Sequence, residues 1–272
     1  MSTLVSVASG GAHAAQIGGK SKGVYLYGMA DKGLPALRMG KIGIGGVEVY
    51  TIPCQGLSAI VHDCAERPYE SKDARIVEGW IREHEKVLEI AMNKFGNVIP
   101  FRFNTIIGSE NHRSTPSSTL RKWISKELPG LRKKMAKIRG KREYGVQILY
   151  LVSAMTRKIA VEQNEEMKLN VDPSSKGTAY MYRLKFERAA KRELEARVAS
   201  YFKDFYGRIG RASTEIKVEK TRMPEEKDTV MLMNLSVLAD DKQLLGSCLE
   251  KIKKKNGFSV RFTGPWPPYS FV

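Results

Sequence analysis

EYGVQILYLV, Glu143–Val152, is the stretch on which the reading of the fold turns, because a new pattern of elements opens there. A strand at this point is followed by a long helical region, interrupted around Asn170–Gly177 by the turn-rich VDPSSKG. The helical pattern resumes from Thr178 to about Tyr206, with Leu184, Leu194, Val198, Tyr201, Phe202 and Phe205 on its apolar face. Two strands come next, Thr214–Lys220 and Thr229–Leu238, separated by the turn MPEEKD. Asp240–Lys254 then reads as a helix with Leu244, Leu245, Cys248, Leu249 and Ile252 inward, and Phe258–Phe262 as a last strand. The order strand, helix, strand, strand, helix, strand is the ferredoxin-like βαββαβ pattern with an enlarged first crossover.

Upstream the pattern differs, which places a domain boundary near Gly140. GVYLYGM, Gly23–Met29, reads as a first strand. Lys41–Ile44 and Val47–Ile52 read as a hairpin around Gly45-Gly46, and the continuous apolar run LSAIV, Leu57–Val61, suits a central strand. The spacing of Ile76, Val77, Trp80, Ile81, Val87, Leu88, Ala91, Met92 and Phe95 predicts a helix over 72–95 with one core-facing stripe, started near Asp73 and stopped by Gly96. NVIPFRF follows, where Pro100 limits any strand to an edge or an end. Thr119–Arg139 reads as a basic helix, kinked or broken near Pro129-Gly130. The expected fold class is therefore α+β in two domains: an N-terminal antiparallel-sheet domain over 23–140 and a ferredoxin-like domain over 141–262. Residues 1–22, rich in Gly, Ala and Ser, are expected to be a disordered leader, not a signal peptide, for no basic residue precedes their apolar stretch.

The 272 residues suit two domains, and a hydrophobic fraction of 42% is enough for sizeable cores. No apolar run reaches the roughly 18 residues of a membrane span. Cys54, Cys64 and Cys248 fit no metal spacing and cannot all pair within one chain, so they read as small hydrophobes in a reducing cytoplasm. Against 29 acids stand 46 Lys and Arg, a net charge of +17. That balance suits nucleic acid, an anionic membrane surface or an acidic protein, and composition does not choose among them.

Motifs for chemistry are missing. IGIGGV, Ile42–Val47, lacks the Lys-Ser/Thr of a phosphate loop and opens no helix. In HEKVLE the position four after His84 is Leu88, which rules out the zinc-protease pair; His62 and His112 lie in other segments. His84 reads as a hydrogen-bonded core or boundary residue. No cofactor, nucleotide or metal is expected, and no catalytic residue. Arg102, between Phe101 and Phe103, is placed by alternation opposite the two aromatics, where it either pairs with Glu85 or Glu89 or meets a partner. The densest basic stretch, Arg121–Arg142, holds Arg121, Lys122, Arg132, Lys133 and Lys134 among ten cations against Glu127 alone. These five and Arg102 are the candidate partner-binding residues. Nucleic acid is the rival partner, weakened by the lack of RNA-recognition sheet motifs, a KH loop or a zinc finger. An uncharacterised enzyme is a more distant rival.

TGPWPPYSFV, Thr263–Val272, is the most specific stretch, and with the preceding FSVRF it resembles the closing motif of the gas vesicle protein F/L family. VYLYGM, LSAIVHD, HEKVLEIAM and VIPFRFNT resemble that family's segments in family order, so the likeness runs from about residue 23 to 272 and weakens through Met155–Gly177. Asn104 stands where the family usually has Gly, and many relatives are acidic where this chain is basic. The resemblance implies a cytoplasmic, vesicle-associated accessory protein without catalysis. It would bind the hydrophobic shell protein and other accessory proteins during nucleation, covering apolar surface that would otherwise aggregate. The closing segment carries Pro265, Trp266, Pro267, Pro268, Tyr269 and Phe271 and no charged side chain, so it is expected to lie ordered across the body, along the domain junction, with its aromatics buried; the rival reading leaves them exposed as a docking peptide for another vesicle protein.

Overall fold

The computed structural model describes residues 22–33, 35–110, 113–167, 176–221, 224 and 226–272, and side chains throughout these except over 160–187. The expected leader and the interruption around 170–177 lie largely outside them. The chain is α+β with two separate antiparallel sheets. It divides into a first unit that ends at Gly140 and also takes in Pro267–Val272, and a second, Lys141–Trp266.

The first unit is organised about β1, Lys22–Ala30, whose residues are buried from Gly23 onward. It pairs with β4 (Leu57–Ala65) on one side, and on the other with β5 (Val98–Pro100) and the two-residue β6 (Ile106–Ile107). β2 (Arg38–Gly40) and β3 (Val49–Cys54) extend the sheet beyond β4. Burial on both faces needs a cover on each. Helix α1, Ala74–Phe95, packs Val87, Leu88, Ala91, Met92 and Phe95 against Tyr25 and Tyr27. Helix α2, Pro116–Ile138, packs against β1, β3 and β5, over the face to which Val24, Leu26 and Met29 alternate. Gly28 sits at a bulge where a Cβ would come within 2.7 Å of Val98 and 2.9 Å of the Ile99 carbonyl, so only glycine lets β5 approach this closely.

In the second unit β7, Arg142–Leu151, lies between β9 (Thr229–Ala239) and β10 (Phe258–Trp266), with β8 (Glu215–Val218) at the far edge, in the order β10-β7-β9-β8. Tyr144, Val146, Ile148 and Tyr150 turn to a core closed by Phe205 and Ile209 of α4 (Lys176–Arg211) and by Leu245, Leu249 and Ile252 of α5 (Lys242–Lys253). Helix α3, Val152–Met167, follows β7 directly. Gln147 bonds Asn234 across the sheet's other face, which also carries the buried Leu149 and Leu238.

Four sequence expectations are corrected. Lys41–Ile44 is not a strand of a Gly45-Gly46 hairpin: Ile44–Gly46 forms a 3-10 turn, because the Ile44 N–H donates to the Tyr27 hydroxyl and its side chain is buried. Helix α2 runs unbroken through Pro129-Gly130 and starts earlier, at a capping box in which Thr115 and Ser118 satisfy each other's N–H groups. The last strand continues to Trp266, so the segment expected to be tail from Thr263 is strand for its first four residues. Trp266 is half-exposed (50%) instead of buried, its indole N–H donating to Thr263 on the same edge strand; Phe271 is buried as expected.

Candidate partner-binding surface

The closing segment is fastened by a buried polar network. After Pro268, a 3-10 turn over Tyr269–Phe271 inserts Phe271 under the Lys137 ammonium, 5.5 Å from its ring. The Tyr269 hydroxyl donates to Glu85 Oε1 at 2.9 Å and lies 3.0 Å from His84 Nε2. His84 Nε2 is also 3.1 Å from the Phe101 carbonyl, which can only accept, so that nitrogen carries the proton and Nδ1 accepts from the Tyr25 hydroxyl at 2.9 Å. Tyr25 in turn accepts from the Asn104 N–H. Asn104 adopts the left-handed conformation (φ 66) that suits glycine, and its amide exchanges two hydrogen bonds with the Tyr69 backbone. That exchange offsets the cost of placing a residue with a side chain in this conformation.

His62 stacks on Tyr25 and bonds Tyr69 through Nε2, while its buried Nδ1 has no partner. Burial pushes both His62 and His84 down to about 4, so both are neutral at physiological pH. Burial also raises the Glu85 carboxyl, against the stabilising hydrogen bond from Tyr269. His84 is thus a hydrogen-bonded core histidine. Among the described residues no group of three or more His, Cys, Asp or Glu side chains could hold a metal, and no helix is long and apolar enough to cross a membrane.

The basic residues of α2 fall into two sets. Arg121 donates to the Pro53 carbonyl, Arg132 to the Gln55 carbonyl at 3.4 Å, and Lys122 pairs with Glu110 at 2.8 Å. Arg139 forms a bidentate pair with Asp31. These side chains tie α2 to the turn after β3 and to neighbouring loops. Lys126, Lys133 and Lys134 are exposed and form no ion pair among the described residues. Nor does Arg102, so its expected pairing with Glu85 or Glu89 is not made; Glu85 is taken by Tyr269. Arg102 and Lys134, remote in sequence, line one groove of about 310 Å³ with Phe101, Trp123, Glu127 and Leu131. The Phe101 and Trp123 rings meet edge to face at 5.7 Å. Helical spacing puts Trp123, Glu127, Gly130, Leu131 and Lys134 on one face of α2, and only the fold brings the loop after β5 against it as the opposite wall.

A second surface lies at the start of α1. Its stripe is fully buried only from His84 onward, leaving Ile76 47% and Ile81 39% exposed, with Val77 and Trp80 half-buried between them. The reading of all nine stripe positions as core-facing is therefore corrected: Ile76 and Ile81 are exposed, while Trp80, edge-on to the Tyr69 ring at 5.5 Å, still packs against the core.

The model of the gas vesicle synthesis protein GvpL/GvpF family matches residues 23–272. Gas vesicle protein L1 of Halobacterium salinarum is 28% identical over 93% of this chain and 91% of its own length. Gas vesicle protein L of Haloferax mediterranei is 26% identical over 85% and 72%. The crystal structure of the gas vesicle protein GvpF from Anabaena sp. PCC7120 superposes with a TM-score of 0.67 at 20% identity, covering 92% of this chain and 98% of that one. GvpF from Microcystis aeruginosa superposes with a TM-score of 0.61, also at 20% identity. The structural likeness shows a shared fold, and with a family match over nearly the whole chain, this protein belongs to the GvpL/GvpF family of gas vesicle synthesis proteins.

Proposed function

We propose that this chain is a cytoplasmic, vesicle-associated accessory protein that binds the hydrophobic gas vesicle shell protein and other accessory proteins during nucleation, without catalysis of its own. Family membership over residues 23–272 carries the reading. In this reading residues 23–140 form one domain, and the second is ferredoxin-like, supported by its four antiparallel strands in the order β10-β7-β9-β8. The exposed Ile76 and Ile81, with half-buried Val77 and Trp80 between them, are the face for an apolar partner. A shell subunit with exposed apolar surface gains most from such a cover. The unpaired cations Arg102, Lys133 and Lys134 serve other accessory proteins. Nucleic acid fits less well, since Tyr144, Tyr150, Phe258 and Phe262 face the core of the second sheet instead of offering their rings on its other face.

The test is capture of purified shell protein by the full chain across a salt series. Wild type retains the complex in high salt with slower association, and Ile76→Asp with Ile81→Asp loses it. Equal capture by the double variant removes α1 from the interface, and failure to capture either the shell protein or any accessory protein refutes the reading.

A further inference from the structure

Helix α2 carries Pro129 and Gly130 side by side in its interior, the two poorest helix formers. Nothing in the packing demands the glycine. A Cβ there meets no atom within 4 Å, and the helix runs on through it. The missing side chain instead opens the groove walled by Trp123 and Leu131 on α2 and by Phe101 on the loop after β5. A space of about 310 Å³ suits one or two side chains, at the low end of what a small-molecule site encloses. Its lining carries Arg102 and Lys134 against Glu127, with Val272 beside them, and exposed Lys126 and Lys133 add positive charge along α2.

We propose that this groove seats a large apolar side chain of an acidic protein segment, the anchor entering over Gly130 and the flanking carboxylates pairing with Arg102 and Lys134. The inference deepens the accessory-protein binding proposed above and rests on it in one respect, that α2 faces a protein. Charge complementarity selects an acidic segment, and the Trp123, Phe101 and Leu131 walls select an apolar or aromatic anchor. A purely charged partner would use the lysines and leave the groove empty. A nucleic acid would need an open ring face, and Trp123 is half-buried with its ring engaged by Phe101.

The probe is a short fluorescein-labelled peptide with a central Trp flanked by Asp and Glu, titrated by anisotropy against the full chain. Controls replace the Trp by Ala, or the acids by Asn and Gln, and a single-stranded RNA oligonucleotide is run in parallel. The acidic Trp peptide is expected to bind roughly 30-fold tighter than the Ala control and about tenfold tighter than the uncharged one. Gly130→Phe, which fills the groove, and Lys134→Glu, a surface change that spares the helix, each lower its affinity at least about tenfold. Their helical content and melting are followed by circular dichroism. Equal binding of the Trp and Ala peptides overturns the proposal, as do wild-type affinity in both variants or tighter binding of the RNA. No shell protein enters this measurement, so its failure leaves the assignment of α1 standing, and failed shell capture leaves the groove standing.

Discussion

Acidification from pH 7 to pH 5 should destabilise the first unit through two histidines alone. Burial holds His62 and His84 at about 4 in the folded chain, against 6.5 when exposed. The unfolded state therefore binds more protons throughout the window between these values, and stability falls as pH drops through it. At pH 5 the window has been crossed for about 1.5 pH units, which costs about 2 kcal/mol per histidine, or roughly 4 kcal/mol for both. Neighbouring groups modify this. Asp63 favours the His62 cation, the two histidines disfavour each other, and Glu85, raised by burial, recovers part of the loss because the folded state holds its proton better. Even half of the sum is a large share of a domain's typical stability, on the order of 10 kcal/mol. The assay is urea unfolding at pH 7 and pH 5, followed by Trp80 and Trp123 fluorescence in a Trp266→Phe background so that the signal comes from the first unit alone. Nuclear magnetic resonance titration of the two ring protons gives the folded values directly. Titration of both rings near 6.5, or unfolding free energies equal at the two pH values, refutes the buried-network account.

Three further outcomes follow from the packing. Gly130→Ala adds a Cβ in open space on a helix, so it should stabilise by about 0.5–1 kcal/mol and raise the melting temperature by roughly 2–4 °C; a lower melting temperature means that the groove is closed. Phe271→Ala should cost roughly 3 kcal/mol, while Trp266→Ala, half-exposed on an edge strand, should cost under about 1 kcal/mol; thermal melts giving the reverse order would place the wrong aromatic in the core. Tyr269→Phe removes a donor from Glu85 and a partner from His84 Nε2, so a loss of about 1–2 kcal/mol is expected in urea unfolding, and no loss would show the network to be incidental.

The amino-acid sequence alone settled what depends on local pattern. Hydrophobic period placed α1, α5 and the strands β1, β4, β7 and β9 within a few residues, because a stripe at three and four or an apolar run at a strand's length leaves the backbone few ways to bury it. The closing motif pointed to the family, and the spacing of His84 with Leu88 excluded a zinc helix. Tertiary structure decided the rest, because each remaining question concerns residues far apart in the chain. Periodicity shows that Ile76 and Ile81 share a face with Val87, and cannot show where the sheet beneath that face ends. Charge density marks Arg121 to Arg142, and only the fold shows that Arg121, Arg132 and Arg139 are held by the strand turns and Asp31 while Lys133 and Lys134 are not. The groove joins Arg102 to Lys134, and the buried network joins Tyr25 to His84 and Tyr269. Such sites exist only once the chain has paid the entropy of bringing their walls together, and that energy is stored in the two cores, not in the segments themselves.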